Sequence, residues 1–584
     1  MKQPIEKLLQ SVIKQMQEAG ELPASAAFIQ IEATKDKAHG DFASNIALTL
    51  AKPAQKKPRA IAERIAELIP KSDYIEKVEV AGPGFINFFL SSAALSQVVT
   101  RILEEGDRYG ITEMGLGKKV LVEFVSSNPT GPLHVGHGRH AAFGDVLANL
   151  LDAVGFKTYR EYYVNDGGRQ MDIIAVSIWL RYLEFCGEGF EFPANGYKGE
   201  YVKSIAQAIF DVHRDHFCAS IQTLCKDLPP DEPQGGDKEI YIDCLIERAK
   251  SLLGPKYEVI FDLGLNQILS DIREDLIEFG VHYDNWFSEK TLVESNIVDE
   301  VIKKLRADNF VYESEGALWF ASTRLGDEKD RVLVRSNGQR TYFANDVAYH
   351  INKFERGFDI AIDLFGSDHH GYIPRIRAAV QAFGVNPERL LPLLVQFVSL
   401  YRQGKPVSMS TRGGNFVTLR ELREEVGNDA ARFFYVMRKC EQHMDFDLDL
   451  AKSKSNENPV FYVQYAHARI CSVFYQMKER GIAFDQEQGL AHLDLLKSAH
   501  ERQLLNTMSA YPDTIVDAAL NYETHQLTNY LRELATDFHA YYNAEQFLVE
   551  DAAERNAKLA LIMATKQTLA NGFKLLGISA PESM

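Results

Sequence analysis

At 584 residues the chain exceeds what one hydrophobic core usually supports, so roughly two to four domains are expected. Lys plus Arg number 64 against 81 Asp plus Glu, a net charge of -17, which excludes a general attraction to polyanions and leaves any nucleic-acid contact to local basic patches. No stretch is long and apolar enough to span a bilayer, the N-terminus lacks the apolar core of a signal peptide, and six cysteines in a chain this size indicate no disulfide framework, so a reducing cytoplasm is the expected setting.

The N-terminal residues Ile5, Leu8, Leu9, Val12, Ile13 and Met16 alternate with charges at helical spacing, which predicts an amphipathic helix over 1–20. Helical periodicity returns at 59–69, and 84–90 alternates as a strand, giving 1–110 the character of a small α+β module. That alternation places Phe85, Asn87 and Phe89 on one face. An aromatic ring and an amide there suit an unpaired base of an RNA loop, and they equally suit a core position.

A Gly-punctuated linker, 106–117, precedes the apolar run 118–125, which reads as a buried parallel strand; a Pro/Gly loop and a helix over 138–154 follow. Helical stretches broken by Pro and Gly clusters fill about 155–340 and read as an insertion. Strand-like runs resume at 359–365 and 393–400, so an α/β sheet is expected to be split by it. The catalytic unit then spans 111–455. Nearly all of 456–584 is helical in pattern, as at 464–479, 527–542 and 552–576, and is expected to form a bundle.

The richest chemistry lies in Ser126-Ser127-Asn128-Pro129-Thr130-Gly131-Pro132-Leu133-His134-Val135-Gly136-His137. A loop from a parallel strand into a helix N-terminus collects backbone N–H groups and a positive dipole end, which suits phosphate. His134 and His137 can both face that phosphate, and Gly136 leaves room for a flat base against the backbone. Taken alone, the two histidines could instead be core residues or metal ligands. In this context the segment resembles the HIGH signature of class I aminoacyl-tRNA synthetases. Downstream, Gly404-Lys405-Pro406-Val407-Ser408-Met409-Ser410-Thr411-Arg412-Gly413-Gly414-Asn415 resembles the KMSKS loop, whose cations stabilise the charge that builds on the ATP phosphates. Both lysines of that pattern are missing. Ser408 and Thr411 stand in their places and Arg412 follows, so Arg412 is the candidate cation, with Lys405 and Arg402 farther out.

The resemblance narrows to the bacterial arginyl-tRNA synthetase family and covers most of the chain. It rests on 122–134, on Thr341-Tyr342-Phe343-Ala344-Asn345-Asp346-Val347-Ala348-Tyr349-His350, on Gly366-Ser367-Asp368-His369-His370-Gly371-Tyr372, and on 458–469 with the closing Leu575-Leu576-Gly577-Ile578. It implies a multidomain α/β protein with a Rossmann-like catalytic domain, an N-terminal tRNA-binding module touching tRNA through Phe85 and Asn87, and an all-α anticodon-binding bundle. The implied activity is ATP-dependent activation of L-arginine, releasing pyrophosphate, and transfer to tRNA(Arg), releasing AMP. tRNA is required for the first step. ATP with Mg²⁺ is the implied cofactor set, and a cytoplasmic monomer the implied form.

The resemblance places Glu123, Ser127, Asn128, Tyr342 and Asp346 around arginine. It places His134, Gly136, His137, Gly366, Asp368, His369, Met409 and Ser410 around ATP, with His134, His137 and Arg412 catalytic. A guanidinium pocket does need carboxylates and an aromatic or carbonyl partner. Glu123 has a second reading, a salt bridge to a neighbouring cation. A catalytically silent tRNA-binding paralogue is the alternative that the missing lysines raise.

His213, His216, Cys218 and Cys225 cluster on what reads as one helix, but Cys218 lies about 200° round from His216, so no structural zinc or other metal is expected. Tyr197 to Tyr201 read as a turn that can meet the acceptor end of tRNA.

Overall fold

The computed structural model describes residues 2–24, 29–34, 39–407 and 416–584. Five parallel strands form the central sheet: β1 (Lys119–Glu123), β2 (Lys157–Val164), β3 (Asn285–Ser288), β4 (Ile360–Gly366) and β5 (Leu390–Val395). They lie in the order β5-β4-β1-β2-β3, so the winding reverses between β1 and β4. A doubly wound sheet opens its ligand crevice at that reversal, beyond the strand C-termini. Four helices frame it: α1 (Val135–Ala153), α2 (Lys256–Glu278), α3 (Tyr342–Glu355) and α4 (Leu419–Val426). Gly144 lets α1 lie against β1, because a Cβ there would sit 2.3 Å from Cγ of Phe124.

β2 and β3 fall inside the span 155–340 that the sequence pattern assigns to an insertion. The inserted material is therefore two separate pieces. Helices Arg169–Phe185, Glu200–His213, Lys238–Leu253 and α2 lie between β2 and β3, and a three-stranded antiparallel sheet over 311–334 lies between β3 and β4. β2 escapes notice because Arg160 and Glu161 interrupt its apolar run. The run 393–400 also divides. β5 ends at Val395, and Val398–Arg402 pairs instead with Met444–Asp447 and Lys405–Pro406 in a separate sheet.

The N-terminal region packs helix Lys2–Glu18 and helix Pro58–Leu68 near a four-stranded antiparallel sheet. Ile86, Phe88 and Leu90 of Phe85–Leu90 fill its core. C-terminal helices Pro459–Glu479, Ala499–Ser509, His525–Ala544 and Ala552–Leu576 pack together, and their apolar faces merge with the core of the sheet.

The expectation of no disulfide is corrected. Cys186 and Cys218 are bonded across a Cα–Cα distance of 5.9 Å. The single helix expected over His213 to Cys225 does not exist, because Glu200–His213 ends where Arg214 takes φ 49°. The following turn folds back on helix Arg169–Phe185 through Trp179 Nε1 donating to the Phe217 carbonyl at 2.9 Å. That fold-back carries Cys218 to Cys186.

Candidate active site

Leaving β1, the backbone enters the left-handed region at two successive non-glycine residues, Val125 (φ 66°) and Ser126 (φ 40°). A β-branched residue rarely tolerates this, and such strain concentrates at binding loops. Ser126 Oγ accepts from the Tyr163 N–H at 3.0 Å and holds the turn to β2. Ser127 Oγ meets the Tyr162 hydroxyl at 2.8 Å, and exposed Asn128 donates from Nδ2 to Gln170 Oε1 at 2.8 Å.

The loop ends at His134, the N-cap of α1. Nδ1 of His134 accepts from the N–H groups of Gly136 and His137 at 3.1 and 3.4 Å, and Nδ1 of His137 accepts from the His134 N–H at 3.3 Å. The two rings stack at 3.6 Å. Burial pushes both imidazoles down, His137 far down, so both are neutral near pH 7. With Nδ1 accepting, the proton of each ring sits on Nε2. The helix terminus thus carries two ring donors beside its positive dipole end. Gly136 serves the ring of His134, since a Cβ would meet its Cε1 at 2.9 Å. α1 starts three residues before the expected 138 because His134 caps it.

Asp346 on α3 is held by the hydroxyl of Tyr372, and burial raises its carboxyl. Tyr342, one turn earlier, is 61% exposed and its hydroxyl lies against Gly168. Together with Glu289 and Asn345 it borders a cavity of about 450 Å³. Glu289 is buried, accepts from Asn345 Nδ2 at 2.8 Å, and burial raises its carboxyl. Sequence reasoning passes over Glu289, whose place at the end of β3 depends on finding that strand.

Glu123 takes the second of its two readings: Lys353 Nζ reaches its Oε2 at 2.5 Å and Asp363 Oδ1 at 2.6 Å. His350 Nε2 meets Asp363 Oδ2 at 3.0 Å. Tyr342, Asp346, His350 and Lys353 share one face of α3 at i, i+4, i+8 and i+11, a signal that the sequence does contain.

Gly366 ends β4, and Asp368 and His369, both exposed, follow it. His369 stacks on Phe365 at 5.8 Å. His140 on α1 feels the charges of Asp368 and His369, so this loop and the α1 N-terminus face one crevice.

Met409, Ser410 and Arg412 lie outside the described residues. Both roots of their segment are described. Val407 N–H donates to the Leu400 carbonyl at 2.8 Å, and Arg402 donates to Glu425 at 2.7 Å. On the other side, Val135 N–H donates to Val417 O at 3.3 Å, Leu419 N–H donates to Leu133 O at 2.8 Å, and Phe416 stands edge-on to His134 at 6.3 Å. The residues that follow the second signature segment are therefore hydrogen-bonded to the first.

Phe85 is 40% exposed, whereas Asn87, on a strand paired on both sides, is 3% exposed. Asn87 is thus closed to a partner in this arrangement. Among the described residues no group of three or more His, Cys, Asp or Glu is placed to hold a metal, and no helix is long and apolar enough to cross a membrane.

Three family models match the chain: "Arginyl tRNA synthetase N terminal domain" over 3–90, "tRNA synthetases class I (R), catalytic domain" over 98–185 and 271–451, and "DALR anticodon binding domain" over 463–584. The arginine–tRNA ligase of Thioalkalivibrio sulfidiphilus (strain HL-EbGR7) is 58% identical over 586 residues, with 100% of each chain covered. That of Legionella pneumophila subsp. pneumophila (strain Philadelphia 1) is 56% identical, again with full coverage of both. A solved putative arginyl-tRNA synthetase from Campylobacter jejuni superposes with TM-score 0.72 at 31% identity, covering 85% of this chain and 100% of that one. The Thermus thermophilus arginyl-tRNA synthetase shares the fold at TM-score 0.73 and 23% identity, with 100% of both chains covered.

Proposed function

Because the chain belongs to the arginyl-tRNA synthetase family, we propose that arginine and ATP meet in the crevice between β1 and β4. The activity is the ATP-dependent ligation of arginine to tRNA, carried by a class I catalytic domain. The observation that carries the site assignment is the α1 N-terminus with its two Nε2 donors, together with the carboxylates of Asp346 on α3 and of buried Glu289 beside it. One end of the crevice suits phosphate and the other suits a guanidinium.

In this reading Asp346, Tyr342 and Glu289 take the guanidinium, while Ser127 and Asn128 take the polar end of arginine. Lys353 already neutralises part of Glu123, so Glu123 contributes through its remaining oxygen. Gly366, Asp368 and His369 border the ribose and adenine, and Met409 and Ser410 cover them. An arginine carboxylate oxygen attacks the α-phosphorus, and the bond to the bridging oxygen breaks to release pyrophosphate. The 2′-hydroxyl of the terminal tRNA ribose then attacks the acyl carbonyl and AMP leaves. His134 and His137 donate hydrogen bonds to phosphate oxygens, and Arg412 supplies the positive charge. The protein's part is positioning and charge neutralisation. Mg²⁺ enters as counter-ion of the ATP phosphates.

The N-terminal module meets tRNA through Phe85. A monomer acting in the cytoplasm, with tRNA bound before activation, completes the proposal. Asp346→Asn tests the pocket: kcat/KM for arginine should fall at least about tenfold, the cost of losing a charged hydrogen bond, with the ATP KM within about twofold. An unchanged kcat/KM removes Asp346 from the pocket.

A further inference from the structure

The loop 127–133 joins a strained exit from β1, at Val125 and Ser126, to the His134 cap of α1. Backbone strain of this kind persists only where the surroundings over-determine the path. The inserted material between β2 and β3 grips the loop at two points. Gln170, in the first turn of helix Arg169–Phe185, accepts from Asn128 Nδ2 at 2.8 Å. Tyr201, in the first turn of helix Glu200–His213, donates its hydroxyl to the Thr130 carbonyl at 2.6 Å. Gly131 admits the tyrosine ring, because a Cβ there would meet Cζ and Oη of Tyr201 at 2.9 Å. A phenylalanine would fill the same space, so the hydroxyl serves the loop.

The helix behind Tyr201 is firmly held. Val202, Ile205, Ala206 and Ile209 are buried. Its far end is locked to helix Arg169–Phe185 by the Cys186–Cys218 bond, the Trp179–Phe217 hydrogen bond and the Tyr182 hydroxyl on the Arg214 carbonyl. A group that positions others needs such rigid support. On the loop side, Gly131 and Pro132 alone separate Thr130 from buried Leu133. The fixed φ of proline leaves little slack to absorb a displacement before it reaches His134.

We propose that Tyr201 is a positioning residue for adenylate formation: through the Thr130 carbonyl it sets where His134 presents its Nε2 donor. It touches no substrate. A displacement of about 1 Å in such a donor can cost on the order of 100-fold in rate. The inference rests on the adenylation reading of the site given above.

The test measures single-turnover formation of arginyl-adenylate by the full chain, with ATP, arginine and tRNA present, in a double-mutant cycle of Tyr201→Phe and His134→Ala. Tyr201→Phe keeps the ring and removes the hydroxyl. In the parent background it should slow adenylate formation about fivefold, the order expected for one neutral hydrogen bond, with full amplitude and an arginine KM within about twofold. In the His134→Ala background it should cost less than about twofold, because the group it positions is gone. A merely structural role would cost the same in both backgrounds, and equal losses overturn the proposal. So does an unchanged rate in Tyr201→Phe, or a reduced amplitude at the parental rate, which marks lost folded protein. If His134→Ala alone keeps the parental rate, the adenylation reading fails and this inference with it, a result visible in that single variant.

Discussion

Glu123 and Asp363 stand directly opposite each other on β1 and β4, at the point where the sheet reverses its winding, and one buried ammonium, Lys353 Nζ, binds both at 2.5 and 2.6 Å. The nearby carboxylates outweigh burial and raise the Lys353 ammonium, while Lys353 and His350 hold Asp363 far below the usual carboxylate range. Removing the cation leaves two buried carboxylates side by side. Lys353→Met should destabilise the fold by about 3 to 5 kcal/mol, the range for breaking one side of a buried pair. Adding Asp363→Asn should recover part of the loss. Urea unfolding followed by circular dichroism measures both, and a single variant within about 1 kcal/mol of the parent would show that the cluster is not coupled in this way.

His134 caps α1 through Nδ1 and presents Nε2 to the crevice. Asparagine can accept from the same backbone N–H groups and still donate, whereas alanine does neither. His134→Ala should lower kcat for adenylate formation about 100-fold, the cost of one preorganised donor, and His134→Asn should keep most of the rate. Equal losses in quench-flow would assign the histidine a role other than donation.

Burial holds His134, His137 and His140 below the ordinary imidazole value, His140 down to about 4, with the Arg139 guanidinium adding to the effect. The unfolded chain takes up these protons near pH 6.5 and the folded chain resists them. Stability is therefore complete above about pH 6.5 and is lost as pH falls toward 4. His140 contributes at most about 3 kcal/mol of that loss. His140→Gln should flatten the decline in unfolding free energy between pH 6.5 and 4.5. A decline equally steep in the variant contradicts the assignment.

Arg412 directly follows Ser410 and Thr411, and the bidentate fork of a guanidinium matches phosphate oxygens. Arg402 is engaged by Glu425, which leaves Arg412 and Lys405 as the candidates. Arg412→Ala should lower the adenylation rate about 100-fold with a smaller change in ATP KM, and Lys405→Ala should be milder. The reverse order in single-turnover kinetics would move the charge to Lys405.

The parts of this molecule that local pattern determines were readable in the sequence. The strand–loop–helix around His134 and His137 and the C-terminal helices follow from periodicity and turn residues. Other features depend on neighbours distant in sequence. β2 is hidden because Glu161, answered by Arg356 at 2.5 Å and by Tyr349 and Asn285, interrupts its apolar pattern with a charge whose partners lie far along the chain. Glu289 escapes for the same reason, its role being set by β3. The partner of Glu123 was open to inference, since Lys353 repeats the helical spacing of Asp346 and His350, but choosing between ligand and ion pair required the register of β1 against β4. Asn87 shows the opposite limit: alternation assigns it a face, yet only the tertiary fold decides that the side chain is covered.

Arginine-dependent exchange of pyrophosphate into ATP, run with each amino acid in turn and with and without tRNA, tests the central claim most directly. The account predicts exchange with arginine alone, only when tRNA is present, and its collapse by at least about 100-fold in His134→Ala. Exchange supported by another amino acid, or none with arginine in the presence of tRNA, would contradict it.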